Sequence, residues 1–228
     1  MTAHSVNYVI IVGPQGAGKG TQAAAVAPEL GLEHVATGDL FRAILKTDSD
    51  LGDEVRHYYD QGALVPDELT VRVLFAHIQR MQESDPSISG VLLDGFPRNR
   101  EQADALDSAL EDRGEAISAV VLVDVPRDEL MKRLTGRLIC SECGATYHSE
   151  FNPPANGESC DVCGGSLYQR SDDTPEAVAQ RLDIYYEQTE PILQHYREQD
   201  LLVEVDGNQE IDAVTREILQ ALRPRVNT

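Results

Sequence analysis

The most constraining feature of the chain is a glycine-rich segment that lies between an apolar run and an alanine-rich run. The apolar run covers residues 8–12, the segment GPQGAGKGT covers 13–21, and the alanine-rich run covers 22–30. A strand, a glycine loop and a helix in this order form a phosphate-binding loop, because backbone N–H groups and the helix N-terminus face the anion. A plain glycine turn is the alternative, and the Gly18-Lys19 pair at this spacing favours the phosphate loop.

The loop departs from the general phosphate-loop pattern at one position. That pattern has Ser or Thr directly after the lysine, where the hydroxyl contacts magnesium. Here Gly20 follows Lys19, and the hydroxyl comes one residue later, at Thr21. The loop therefore predicts the binding of nucleotide phosphates and leaves the reaction open.

Apolar runs alternate with helical patterns along the chain. Strands are predicted at 8–12, 34–36, 91–94, 119–125 and 201–205, and helices at 37–46, 51–61, 67–82, 100–113, 127–135, 174–199 and 209–222. Thr37 or Asp39 is a candidate cap for the second helix. The longer strands are continuous in Val, Ile and Leu, which is typical of strands buried on both faces. We therefore expect a three-layer α/β fold with a parallel sheet.

Two segments interrupt this alternation. About three helical patterns lie between the second and third strands, where one would suffice. Between Arg137 and Arg170 the sequence changes to cysteines, glycines, prolines and short β-type pieces. We expect both to be insertions at the carboxyl edge of the sheet, on the side of the phosphate loop.

The chain is strongly acidic, with 39 Asp and Glu against 19 Lys and Arg and a net charge of −20. Such a surface repels nucleic acid and anionic membranes, and we expect neither as a partner. Basic residues reserved for a site would suit an enzyme of anionic substrates, while solubility or a saline habitat explains the acidity equally well. Without an apolar run of eighteen residues or a signal peptide, the expected location is cytoplasmic. The predicted core accounts for the apolar residues and leaves no large apolar stripe for an interface, so a monomer is expected.

All four cysteines lie in the second insertion. They form two CxxC pairs, Cys140 with Cys143 and Cys160 with Cys163, separated by sixteen residues. This is the spacing of two knuckles around one tetrahedral Zn²⁺, and four cysteine ligands indicate a structural ion. Disulfides are the alternative, which a cytosolic chain disfavours; Fe²⁺ in place of zinc stays open. Residues 140–163 carry four acidic side chains and no Lys or Arg, which argues against a nucleic-acid-binding ribbon.

Arginines cluster near the ends of predicted strands and around the second insertion. They are Arg42, Arg98, Arg133, Arg137, Arg170 and Arg181. Arg133 and Arg137 are four residues apart and are expected on one helix face. Each arginine alone would be a surface ion pair by default. Together with Lys19 they carry more positive charge than one triphosphate needs. This indicates phosphoryl transfer between two nucleotides.

The motifs together resemble the adenylate kinases, in the long form with a zinc-bearing lid. The matching segments are 13–22, TGDLFR at 37–42, DGFPRNREQ at 94–102, RLTGR at 133–137, both knuckles, and 169–182. The resemblance covers about residues 7–222, and Lys19-Gly20-Thr21 is the family's own form of the loop. It implies reversible transfer between ATP and AMP that gives two ADP, with Mg²⁺ bound to ATP and a structural Zn²⁺.

The resemblance also implies roles for individual residues. Lys19 would contact the transferring group, Thr21 would lie near magnesium, and Asp94 would act on it through water. The implied ATP site consists of Gly13, Gly16, Ala17, Gly18, Lys19, Gly20, Thr21, Arg133, Arg137 and the backbone near Gln209. The implied AMP site consists of Thr37, Arg42, Ala63, Leu64, Val65, Gly95, Arg98, Gln102, Arg170 and Arg181, with Gln102 on the base. The implied catalytic set is Lys19, Arg98, Arg133, Arg137, Arg170 and Arg181, with Asp172 and Asp173 as partners for arginines.

In that arrangement residues 37–66 close on AMP and residues 137–170 close on ATP. The core domain would consist of 1–36, 67–136 and 171–228. A kinase of UMP/CMP, GMP or dTMP is an alternative within the same class. An alternative from another class is a nucleotide-dependent binding protein with a phosphate loop and a zinc ribbon, which would leave the arginines after strands two and three without a role.

Overall fold

The computed structural model describes residues 6–60, 65–85, 87–171 and 173–226, apart from the side chains of Asp39, Tyr59 and Asp60. The strands in this part of the chain are β1 (Asn7–Val12), β2 (Leu32–Ala36), β3 (Gly90–Asp94), β4 (Ile117–Asp124), β5 (Arg137–Cys140), β6 (Thr146–His148), β7 (Leu167–Tyr168) and β8 (Leu202–Asp206). The helices are α1 (Lys19–Glu29), α2 (Thr37–Ile44), α3 (Asp50–Asp60), α4 (Asp67–Ser84), α5 (Arg100–Glu111), α6 (Arg127–Thr135), α7 (Pro175–Ile184), α8 (Ile192–Glu198) and α9 (Ile211–Leu222).

A five-stranded sheet forms the centre of the fold, with the strand order β2-β3-β1-β4-β8. Every neighbouring pair in it is parallel, which confirms the predicted sheet. Because β1 lies between two strands that come later in the chain, the carboxyl end of β1 opens into a crevice between diverging connections. In open α/β sheets this is where ligands bind.

The sheet separates two hydrophobic cores. Successive side chains of a strand point to opposite faces, so Tyr8 and Ile10 pack on one face while Val9 and Ile11 pack on the other. The first face is covered mainly by α4, α5 and α8, and the second by α1, α6, α7 and α9. All six β1 side chains are buried, which explains why the strand is apolar from Tyr8 to Val12; the one polar residue, Asn7, donates from its side chain to Ser89 O at 3.2 Å.

Both predicted insertions are present. Three helices, α2, α3 and α4, lie between β2 and β3. The second insertion forms a separate antiparallel sheet, β6-β5-β7, between α6 and α7. Its own small core contains Cys140, Tyr147 and Cys160. We call residues 137–170 the lid segment.

Three local predictions are wrong. The expected long helix over 174–199 is interrupted by a π-helical turn at Tyr185–Thr189, and Pro191, which has no N–H to donate, separates it from α8. Arg137 does not continue the helix of Arg133, because α6 ends at Thr135 and Arg137 begins β5. Thr37 does not cap α2: it is the first helical residue, and its hydroxyl donates to Asp94 O at 3.2 Å.

Within the described part of the chain, no helix combines the length and the apolar character that crossing a membrane requires.

Candidate active site

The phosphate loop follows β1 directly and leads into α1, as the sequence predicts. Gly13, Gly16 and Gly18 have φ of +152°, +85° and +93°, a region that L side chains rarely adopt. A Cβ at Gly13 would lie 2.6 Å from Val123 O, so the loop also needs glycine for its close approach to β4. These constraints turn the loop over the N-terminus of α1, which begins at Lys19.

Lys19 is folded back over the loop. Its Nζ donates to Gly13 O at 2.7 Å and to Pro14 O at 2.9 Å. Burial lowers the pKa of Lys19 to about 8; the carboxylate of Asp94 opposes this shift, and three arginines in the vicinity add to it. The ammonium group is therefore positioned at the loop and poorly solvated, so an anion is a favourable partner for it.

A cleft of about 1680 Å³ extends from the phosphate loop to the lid segment. The predicted site residues that line it, besides the loop at 13–21, are Gly95, Arg98, Arg133, Arg137, Arg170, Arg181 and Gln209. The structure thus brings all six residues of the implied catalytic set to one cleft. Of the residues predicted for AMP, Thr37, Arg42, Val65 and Gln102 are not on its walls, and Ala63 and Leu64 lie outside the described residues.

One buried carboxylate organises the arginines at the base of the lid segment. Asp173 is 1% exposed and accepts from Arg137 Nε at 2.9 Å and from Arg137 Nη2 at 2.6 Å. Arg181 Nη1 donates to the same carboxylate at 3.1 Å. Two guanidinium groups are therefore held side by side, one on β5 and one on α7. Asp172, the other predicted partner, lies outside the described residues.

Arg133 fixes α6 to the loop that follows β8. Its guanidinium donates to Gly207 O and to Asn208 Oδ1, both at 3.1 Å. The next residue along, Gln209, donates from its side chain to Asp206 O at 3.0 Å. The predicted ATP-site residue Arg133 thus hydrogen-bonds to the loop that carries the other one, Gln209, at the wall of the cleft.

Arg98 is held on both of its backbone groups. Its N–H donates to Gln102 Oε1 at 2.8 Å, and its carbonyl accepts from the Thr189 hydroxyl at 2.6 Å. Its side-chain Nε donates to Gly95 O at 2.7 Å. Gly95 has φ of +83°, and a Cβ there would lie 3.2 Å from both Arg98 Nη2 and Thr37 Oγ1. The positive φ and these two short contacts together favour glycine between the two predicted AMP-site residues.

The sequence reasoning missed several residues of the cleft. Tyr185 and Thr189 line it from the π-helical turn, and Phe151 and His148 line it from the lid segment, with their rings stacked at 4.4 Å. Three ring side chains within five residues, Tyr147, His148 and Phe151, are an available signal for the lid residues. The sequence offered none for Thr189, because the π-helical turn places it.

Asp94 also has a partner that the sequence did not indicate. His34 Nε2, on the neighbouring strand β2, lies 3.6 Å from Asp94 Oδ2. A Cβ at Gly20 would lie 3.5 Å from the same carboxylate oxygen. Asp94 therefore sits between β2 and the first turn of α1, immediately beside the phosphate loop.

The four cysteines meet within the lid segment. None of them forms a disulfide in the structure, and their Sγ atoms all lie within 4.8 Å of one another, as the knuckle spacing predicts. In each knuckle the glycine N–H donates to the carbonyl of the first cysteine, Gly144 to Cys140 at 3.1 Å and Gly164 to Cys160 at 2.8 Å. Four thiolates at about 2.3 Å from one tetrahedral ion are separated by about 3.8 Å. The donor set and its size fit a metal ion.

Comparisons with known proteins agree with this arrangement. The sequence model of the family "Adenylate kinase" matches residues 11–201. An adenylate kinase of Carboxydothermus hydrogenoformans is 47% identical over 94% of this chain and 99% of its own length. Those of Moorella thermoacetica and Staphylococcus epidermidis are 49% and 45% identical over 94% of this chain and 97% and 98% of theirs. With a phosphate loop, an arginine-lined cleft and near-complete coverage by such relatives, the chain belongs to the adenylate kinase family.

Proposed function

We propose that the protein transfers a phosphoryl group reversibly between Mg²⁺-bound ATP and AMP, giving two ADP. One observation carries the proposal: the phosphate loop and the arginines Arg98, Arg133, Arg137, Arg170 and Arg181 share a single cleft of about 1680 Å³. Two phosphate-bearing ligands repel each other, so bringing them together requires this concentration of positive charge. Phosphoryl transfer then depends on positioning and charge neutralisation rather than on a protein nucleophile.

The donor ATP would bind to the loop that begins at Gly13. Backbone N–H groups at 13–21 would surround its phosphates, and the poorly solvated ammonium of Lys19 would contact the transferring group. Mg²⁺ would be held by the ATP phosphates near Thr21, with Asp94 acting through water. The loop at Gln209, which Arg133 supports, would contact the base.

The acceptor AMP would bind beside Arg98. The guanidinium groups of Arg42 and Arg98 would hold its phosphate, and Gln102 would contact its base. Both Thr37 and Arg98 have a side-chain atom next to Gly95, which supports placing them in one acceptor site. Arg170 and Arg181 would act between the two nucleotides, where charge accumulates during transfer.

The two insertions would be moving parts. Residues 37–66 would close over AMP and residues 137–170 over ATP, on a core of 1–36, 67–136 and 171–228. Closure removes water that would otherwise accept the phosphoryl group. Arg137 lies at the first residue of the lid segment and is ion-paired with Asp173 outside it, which supports a hinge at this point.

The cysteine cluster would bind a structural Zn²⁺. Four thiolates leave no open coordination position, so the ion would stabilise the lid segment, whose own core is small. Thiolate ligands persist in a reducing compartment, which supports a cytoplasmic location. Three of the five large apolar side chains that are exposed in the described residues, Phe151, Ile184 and Ile211, line the cleft, which supports a monomer.

The test is a disproportionation assay with protein, Mg²⁺ and ADP, in which ATP and AMP should appear in equal amounts. Lys19→Met should abolish the reaction and leave the fold intact. Folded wild-type protein that forms neither product would refute the proposal. Phosphorylation of UMP, CMP, GMP or dTMP in preference to AMP would favour another kinase of this class. ATP hydrolysis that needs no nucleotide acceptor would favour a nucleotide-dependent binding protein.

A further inference from the structure

The side-chain amide of Gln102 is bound at both ends. Its Oε1 accepts from Arg98 N at 2.8 Å, and its Nε2 donates to Asp67 Oδ1 at 3.0 Å. A backbone N–H can only donate, and a carboxylate can only accept. Turning the amide over would set NH₂ against N–H at one end and C=O against a carboxylate at the other. The two partners therefore allow one orientation of the amide.

Asp67 is an independent part of this arrangement, because it comes from a different element. It is the first residue of α4, directly after the segment 37–66, whereas Gln102 lies in the first turn of α5. The Asn99 side chain caps α5 by accepting from Gln102 N at 2.8 Å. The helix start is thus already capped, and the bond to Asp67 adds a fixed direction to the side-chain amide.

A fixed amide presents a fixed pattern to a bound base. After these two bonds, Oε1 keeps one lone pair and Nε2 keeps one N–H. Adenine offers an amino donor at C6 and an acceptor at N1, while a 6-oxo purine offers an acceptor at C6 and an N1–H donor. With the phosphate held by arginines, the base cannot shift to compensate, so only one of these two patterns matches a given amide orientation.

We propose that Asp67 sets the preference of the acceptor site for a 6-amino over a 6-oxo purine monophosphate, by fixing the orientation of the Gln102 amide. The inference rests on the proposed function in placing Gln102 at the acceptor base. Asp67 is a positioning residue, since it acts on the base through Gln102.

The test compares AMP with IMP, which differ at C6 and in the N1 proton. Dissociation constants of both are measured by calorimetry for the wild type and Asp67→Asn, whose amide can face Gln102 with either a donor or an acceptor, so that only the Arg98 N–H is left to select the amide orientation. We expect the ratio of the IMP to the AMP dissociation constant to fall about tenfold, the value of one hydrogen bond to a charged group. Glu68→Gln, which removes a neighbouring exposed charge from the same helix turn, should leave the ratio unchanged.

If Asp67 had only a structural role, its substitution would weaken the binding of AMP and IMP equally. The ratio of their dissociation constants would then be unchanged. In a Gln102→Ala background, Asp67→Asn should have no further effect on the ratio, because the residue it acts through is gone. An unchanged ratio in Asp67→Asn and in the second variant Asp67→Ser, both with wild-type melting temperature, would overturn the proposal. Binding is measured without turnover, so a wild type that binds AMP but makes no ADP would refute the proposed function and leave this test intact.

Discussion

Arg137 and Asp173 form a two-pronged ion pair that joins the first residue of the lid segment to the chain just before α7. The carboxylate side chain is fully buried, and the guanidinium side chain is 18% exposed. Because the same carboxylate also binds Arg181, it fixes the distance between two arginines that face the cleft. Asp173 therefore both anchors the start of the lid segment and holds the positive charges of Arg137 and Arg181 in place at the cleft.

Replacing Asp173 with Asn should damage both stability and turnover. The amide offers one acceptor in place of two charged oxygens, so two guanidinium groups lose their shared counter-ion. We expect a loss of about 3 kcal/mol in the free energy of unfolding, measured by urea denaturation, and at least a tenfold lower kcat. Asp183→Asn is the control, because its pair with Arg127 is exposed on both sides and should contribute less than about 1 kcal/mol. Equal effects of the two substitutions would contradict the special role of Asp173.

ATP affinity should fall as the pH rises above 8. Free protein holds Lys19 with a pKa of about 8, and bound phosphates raise that pKa, so binding above pH 8 requires the uptake of a proton. Below pH 8 the free and bound forms both carry the proton, and the affinity is constant with respect to this group. Calorimetric titration with ATP from pH 6.5 to 9.5 measures the effect.

Lys19→Arg is the matched variant for this profile. A guanidinium stays charged throughout the range, so its ATP affinity should be lower in absolute terms but independent of pH around 8. If the ATP affinity of the wild type and of the variant depended on pH in the same way, Lys19 would not be the group that controls the pH dependence.

The elements that the sequence predicted well share one property: they are locally determined. The phosphate loop, the buried strands and the cysteine knuckles each depend on residue types within a few positions of one another. Gly13 and Gly18 adopt the positive φ that their motif requires, and the Cys pairs lie in turns closed by their own glycines. Such features can be predicted from the sequence without knowledge of the rest of the fold.

The features that the sequence did not indicate depend on contacts between distant elements. Asp67 and Gln102 are 35 positions apart, and Thr189 and Arg98 are 91 apart. The helical pattern of 174–199 gave no sign of its π-helical turn, because a single inserted residue hardly changes the apolar spacing. The four-residue spacing of Arg133 and Arg137 predicts a common helix face, but spacing does not mark where α6 ends and β5 begins.

Thr189→Val should weaken AMP binding and leave ATP binding unchanged. The hydroxyl of Thr189 donates to Arg98 O across the π-helical turn, and valine keeps the shape of the side chain without that bond. We expect the KM for AMP to rise about fivefold, as one hydrogen bond is worth about 1 kcal/mol. Thr189→Ser keeps the hydroxyl and should behave as wild type. An increase in the KM for ATP of the same size would indicate a general loss of structure.

Removing the metal should lower the melting temperature before it abolishes activity. None of the four cysteines lines the cleft, and the lid segment has a core of few residues to hold its fold without an ion. A chelator that competes for Zn²⁺ should lower the wild-type melting temperature by several degrees at concentrations that leave ADP disproportionation measurable at 25 °C. Cys163→Ser should melt at the lower temperature from the outset and respond little to the chelator, because it has already lost one ligand. A chelated wild type whose melting temperature is unchanged would show that the cysteines do not stabilise the lid segment through a metal.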